Sequence, residues 1–298
     1  MTSPRQVLAG STWLVSRRCS ERRNFLRPSE AANAILEFVL GVAASRHGVE
    51  LHAYCFMSNH FHLVLTDPGA RLPEFVQYFD GLVARAMNLL LGRSESFWDP
   101  SSFSAVRLET PESIVEKCAY TLGNPVAAGL VRHARQWPGV CSETDRMGGE
   151  ALEVVRPAAF FRSNGPLPAT TRLVLTCPPG FATLKEFTEA VAEALGELER
   201  KKAEDLLREG RDFLGPARVL SQEAWTEPRN GPPSRGMKPN VASRDKWTRI
   251  EALARLKHFR LAYREALSSW RRGLRSVLFP EGTWLMRVRH SAPCAGAG

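Results

Sequence analysis

At 298 residues, with 44% hydrophobic and 24% charged side chains, the chain has an ordinary globular composition and is long enough for one large or two modest domains. No apolar run reaches the roughly 18–20 residues that cross a bilayer, so no membrane partner is expected, and six scattered cysteines without a CxxC pair argue against zinc fingers and disulfide scaffolds. The net charge of +9 is confined to the last quarter, where Pro228 to Gly298 hold fifteen Lys/Arg against four Asp/Glu, a concentration that points to a polyanion partner or to a solvated basic helix.

The start, MTSPRQVLAGSTWLVSRRC, lacks the basic region and long apolar core of a secretory signal, and with the cysteine usage it gives a cytoplasmic expectation. GSTWLVSR (10–17) reads as a strand, followed by a turn carrying Arg17, Arg18, Arg22, Arg23 and Arg27. Ser29 caps a helix that runs to Gly48. VELHAYCFM and HFHLVLT read as two strands joined at Ser58-Asn59, and LPEFVQYFDGLVARAMNLLLG as an amphipathic helix closed by Gly92. FSAVRLE is a strand, and Thr110 or Pro111 opens the helix PESIVEKCAYTLG. This order predicts an α+β domain, residues 1–142, with helices on one face of an antiparallel sheet. A mixed, mainly helical extension follows over 143–226, with a linker at 162–171, a short strand in LVLTCPPG and a long helix ending near Gly210. A basic helical region occupies 227–298; its Pro/Gly-rich beginning (227–240) reads as irregular.

Side chains two apart on a strand share a face, so His60 and His62 point one way while Phe61, Leu63 and Leu65 point toward a core. A single strand histidine is ordinarily a hydrogen-bonded, half-buried residue, but two on one face can converge on one ion. The helix 112–123 offers Tyr120 and, four residues on, Asn124, with Glu116 one turn earlier on the same face. An Asn or Glu oxygen with two imidazoles suits Mg2+ or Mn2+. Asn124 also precedes Pro125, which fits a residue that ends one helix and caps the next, and local sequence leaves both roles open.

SNHFHLVL resembles the His–hydrophobe–His motif of the HUH single-tyrosine transposases. AYTLGNPVAAGLV followed by WPG resembles the tyrosine-bearing helix of their REP-associated branch, and the Arg-rich turn, AYCFM and FW agree in order over residues 10–142. The resemblance implies a ferredoxin-like sheet with the histidines on a central strand. It also implies a divalent metal held by His60, His62 and Asn124, with Glu116 the alternative third ligand, and Tyr120 as nucleophile toward single-stranded DNA beside a hairpin. The product would be a 5′-phosphotyrosine and a free 3′-OH, whose conserved bond energy allows rejoining without ATP. Arg17, Arg18, Arg22 and Arg23 of the turn and Arg271 and Arg272 of the basic helix are expected DNA contacts.

Ser58 stands where the family usually has proline, and WDPSSFSA has serines where many members carry a basic residue, which weakens a DNA contact or shifts it to Arg107. Two other classes stay open: a catalytically silent hairpin-DNA-binding protein or repressor on the same fold, and a metal-dependent hydrolytic nuclease. The sequence leaves the DNA target and the choice of monomer or homodimer undecided.

Overall fold

The computed structural model describes residues 4–101, 103–147, 150–158, 160–226 and 239–296. β1 (Ser11–Arg18) leads through the arginine-rich turn into α1 (Glu30–His47). Ser29, with extended backbone, begins α1 by accepting from the Ala32 N–H at 3.2 Å, and Gly48 ends it in the left-handed conformation at φ 64°. β2 (Glu50–Met57) and β3 (His60–Asp67) form a hairpin across Ser58 and Asn59. Asp67 then starts α2 (Leu72–Leu90), because its carboxylate accepts the otherwise unpaired N–H groups of Arg71 and Leu72 at 2.9 and 2.7 Å. β4 (Ser104–Leu108) follows, and α3 (Pro111–Leu122) opens on a capping box between Thr110 and Ser113. α4 (Asn124–Ala127) is a single turn.

The four strands lie in the order β2-β3-β1-β4 with every neighbour antiparallel, the ferredoxin-like arrangement expected from the sequence. Register assigns each side chain a face: Arg18 is opposite His60, Arg17 opposite Phe61 and Ser16 opposite His62. Phe61, Leu63 and Leu65 are fully buried on one face, each side chain stabilising by roughly 1.5–3 kcal/mol. The Phe61 ring lies 5.3 Å from that of Phe79 on α2, and α1 packs alongside α2. The one-face expectation describes α1 and α2. α3 crosses to the histidine face, where it packs on β2 and β3.

β5 (Leu152–Val155) and β6 (Thr170–Leu173) form a hairpin against α1. Thr170 and Thr171, read from sequence as linker, are thus strand residues, and the strand expected in LVLTCPPG ends at Leu173. α5 (Leu184–Arg208) packs against α3 and α4, and α6 (Pro216–Leu220) follows. β7 (Val241–Ala242) adds to β4 in parallel, making the sheet mixed and five-stranded. α7 (Lys246–Arg271) and α8 (Trp284–His290) complete the helical C-terminal part. Residues 227–238 of the Pro/Gly-rich stretch lie outside the described residues. One apolar cluster runs from Val7 through the sheet to Phe187, Val191 and Ala224 of the extension. On α7, Phe259 is buried and Tyr263 and Trp270 pack on Phe279, which makes them packing residues, whereas Trp247 is exposed. Among the described residues no helix is long and apolar enough to cross a membrane.

Candidate active site

His60 and His62 sit side by side on β3, their rings perpendicular with centroids 4.9 Å apart. Burial, followed by the positive charge of Arg18, pushes the His60 imidazole down to about 4, although its hydrogen bond with the Asn124 side chain opposes the shift. Burial likewise holds His62 well below the usual range, with His60 and Arg18 adding to the effect. Both rings are therefore neutral at pH 7 and have nitrogen lone pairs to offer.

The proton on His60 is directed by a residue that sequence reasoning passed over. Asn59 Nδ2 donates to the Arg22 carbonyl at 3.1 Å, which leaves Oδ1 to accept from His60 Nδ1 at 2.6 Å. With its proton on Nδ1, the neutral ring carries its lone pair on Nε2. The signal was present as the residue immediately before the first histidine in SNHFH. His62 Nδ1 is buried and has no hydrogen-bond partner among the described residues. An orphaned buried nitrogen is costly, and coordination is one way to satisfy it.

α3 brings Tyr120 over this pair, its ring centroid 5.2 Å from that of His62. Of the four tyrosines it is the exposed one beside the histidines. Tyr54 is buried on the opposite face of the sheet, Tyr78 packs against His47 with the rings tilted, and Tyr263 packs on Phe279. The Lys117 ammonium lies 5.8 Å from the Tyr120 ring centroid.

Asn124 is buried at the start of α4, and the capping role considered for it is corrected. The N-cap is Gly123 and no side chain caps the helix, so the Asn124 amide is free to face His60. A Cβ at Gly123 would meet the Leu198 side-chain end of α5 at 2.8 Å and the Ala119 carbonyl at 3.0 Å. Glu116 does not join the pair. Its carboxylate is held by Lys117 at 2.6 Å and Arg244 at 3.2 Å, and among the described residues no three His, Cys, Asp or Glu side chains converge as a metal group. The donor set that does converge is His60, His62 and the Asn124 amide, which suits a hard divalent cation with positions left for oxygen ligands.

The expected arginines separate by register. Arg18 lies on the histidine face, and its charge, with that of Arg22, bears on His60. Arg17 lies on the other face, where it pairs with buried Asp80 at 2.5 Å. Arg107, opposite Trp13, is also on that other face and pairs with Glu109, which in turn binds Arg255 of α7. Arg23 is engaged by Glu21 and by the Trp225 carbonyl. Arg271 and Arg272 end α7, beside the small cluster around Phe279. The structure thus brings Arg18 and Arg22 to the histidines and does not bring Arg17 or Arg107.

Residues 15–117, about a third of the chain, match the family model described as Transposase IS200 like. The match ends three residues before Tyr120, so the placing of Tyr120 and Asn124 rests on geometry. Among solved structures the chain is similar to a REP-associated tyrosine transposase bound to a REP hairpin, at 16% identity and a TM-score of 0.42, covering 54% of this chain and 98% of that one. It is also similar to a candidate transposase from Deinococcus radiodurans R1, at 23% identity and a TM-score of 0.28, covering 36% and 85%. No curated protein matches the chain.

Proposed function

We propose that the chain is a strand transferase that cuts and rejoins single-stranded, hairpin-associated DNA through Tyr120, a reading supported by the match of residues 15–117 to the IS200-like transposase family model. The observation that carries this reading is the meeting of His60, His62, Asn124 and Tyr120 in one place on the sheet, from elements sixty residues apart.

Each group has a physical task. Arg18 and Arg22 supply positive charge at the rim, which attracts a phosphodiester and positions it over the histidines. The Tyr120 oxygen attacks phosphorus, forming an O–P bond as the bond to the 3′ oxygen breaks. The phenol proton passes to solvent and the released 3′ oxygen takes one up, leaving a 5′-phosphotyrosine and a 3′-OH. A later 3′-OH reverses the step and joins strands, which requires no external energy source. His60 through Nε2, His62 through Nδ1 and the Asn124 amide oxygen would hold a divalent cation such as Mg2+ or Mn2+. When bound, such an ion offsets the negative charge that develops on the non-bridging phosphate oxygens.

The test is incubation with a labelled hairpin oligonucleotide bearing single-stranded flanks, in Mn2+, followed by denaturing electrophoresis. The proposal expects an SDS-resistant adduct that Tyr120→Phe abolishes. Cleavage that survives Tyr120→Phe would point to hydrolysis by water, and binding without cleavage would point to a silent hairpin binder.

A further inference from the structure

The turn between β1 and α1 contains two consecutive non-glycine residues in the left-handed region, Glu21 at φ 53° and Arg22 at φ 59°. Side chains rarely adopt this conformation, and it persists where surrounding contacts over-determine it. On one side, the turn is wired to the candidate site. The Cys19 N–H donates to the Asn59 carbonyl at 2.9 Å, the Leu26 N–H to the Ser58 carbonyl at 2.8 Å, and the Asn59 amide to the Arg22 carbonyl at 3.1 Å.

On its other side the turn is gripped by a stretch of the extension some two hundred residues away. Arg27 Nη1 donates to the Gln222 carbonyl at 3.0 Å, Asn24 Nδ2 to that of Glu223 at 3.5 Å, and Arg23 Nη1 to that of Trp225. The Trp225 ring meets Phe25 edge-on at 5.3 Å, and the Arg93 guanidinium lies 3.9 Å from the Phe25 centroid and 5.5 Å from that of Trp225. Ala224 and Val219 are buried, anchoring the stretch at two points. Ser58, at the hairpin turn itself, donates to Gln222 Oε1 at 3.5 Å. Three backbone carbonyls within four residues, those of Gln222, Glu223 and Trp225, thus take three polar side chains of one strained turn.

We propose that Gln222–Trp225 is a clamp, with Trp225 as a positioning residue, that holds the arginine turn so that Arg22 and Asn59 present correctly to His60. The clamp rests on the functional reading above for its purpose, though not for its existence. It gives the extension a role in building the catalytic site, and it spends Arg23 and Arg27 on scaffolding while Arg18 and Arg22 face the histidines. A segment that merely covers Phe25 would affect overall stability alone.

The experiment uses the full chain and compares wild type with Trp225→Ala, Trp225→Phe and Ala224→Glu. Trp225 is half exposed, so its truncation spares the core, and Ala224→Glu displaces the stretch by a second route. Hydrogen exchange is followed in peptides covering 19–27 and 58–60, with α1 as internal reference. The clamp expects exchange of both peptides to quicken about tenfold in the Ala and Glu variants with α1 unchanged, and Phe to restore protection. At saturating hairpin DNA the single-turnover cleavage rate falls about tenfold while DNA affinity changes little. Adding Trp225→Ala to Arg22→Ala then causes a smaller loss than Trp225→Ala causes alone, because the Arg22 side chain is already gone and only the route through Asn59 remains. Unchanged exchange in both disrupting variants overturns the clamp, and quickened exchange with unchanged cleavage overturns its positioning role. A wild type that binds hairpin DNA but never cleaves it would refute the functional reading, while exchange would still decide the clamp.

Discussion

Replacing Asn59 with alanine removes the two hydrogen bonds that decide which nitrogen of His60 carries its proton. In the intact protein Asn59 Nδ2 donates to the Arg22 carbonyl at 3.1 Å and Oδ1 accepts from His60 Nδ1 at 2.6 Å. Burial and the Arg18 charge keep the ring neutral at pH 7, since its pKa is pushed down to about 4, and a neutral imidazole has one N–H to place. A neutral hydrogen bond contributes about 0.5–1.5 kcal/mol, and partners that orient a ligating histidine change metal affinity ~10–100-fold. The lower end applies here, because Asn124 still contacts the ring. Asn59→Ala should therefore weaken Mn2+ binding about tenfold, roughly 1.4 kcal/mol, as read from the free-Mn2+ signal in electron paramagnetic resonance. Hairpin cleavage should recover when Mn2+ is raised by the same factor. The backbone bond from Cys19 to the residue-59 carbonyl remains, so the thermal midpoint should move by only a few degrees. Unaltered Mn2+ affinity, or lost cleavage that excess Mn2+ fails to restore, would refute the tautomer argument.

Four further outcomes separate structural from functional side chains. His60→Ala should abolish cleavage while hairpin binding measured by gel shift largely survives; equal loss of both would indicate a folding defect. Arg17→Ala should lower unfolding free energy by about 3 kcal/mol in urea titration, the lower end for a broken buried pair, because Asp80, pushed up to about 6 by burial, can take up a proton once alone. Arg18→Ala should leave stability nearly unchanged and make the salt dependence of hairpin affinity shallower by about 0.7–1 log unit per log unit of salt; the opposite pattern in the two arginine variants would overturn the assignment of faces. His52 is buried between the Thr176 carbonyl and the Thr66 hydroxyl, and burial pushes its imidazole down to about 4. Between pH ~6.5 and ~4 the unfolded chain binds the proton and the folded one does not, so stability falls as pH drops through that window, by about 3 kcal/mol at its lower end, and nothing is lost above it. The gap between urea midpoints at pH 7 and pH 4.5 should narrow in His52→Gln, with buried His60 and His62 supplying the remainder, and an undiminished pH effect would assign the loss to other groups.

Much of the site was legible because strand alternation is a strict rule. Phe61, Leu63 and Leu65 in the core dictate that His60 and His62 share the opposite face, and the caps at Ser29 and Thr110 are local devices readable from a few residues. The arginines were misread where assignment needed register between strands. Arg17 and Arg18 are adjacent in sequence, yet only pairing with Phe61 and His60 shows that they point to opposite faces. Asn124 was ambiguous because cap and ligand demand the same residue type; Gly123 taking the cap position removes the cap reading. The β5–β6 hairpin, the two-residue β7 and the stretch at 222–225 depend on partners distant along the chain, to which no local propensity points.

The central claim is that Tyr120 becomes covalently joined to DNA. After incubation with a hairpin oligonucleotide and Mn2+, nuclease trimming and trypsin digestion, mass spectrometry can locate the nucleotide on one of four tyrosines. The account predicts the added mass on the peptide 118–132, at Tyr120. Cleaved DNA with no adduct, or an adduct on Tyr54, Tyr78 or Tyr263, would contradict it.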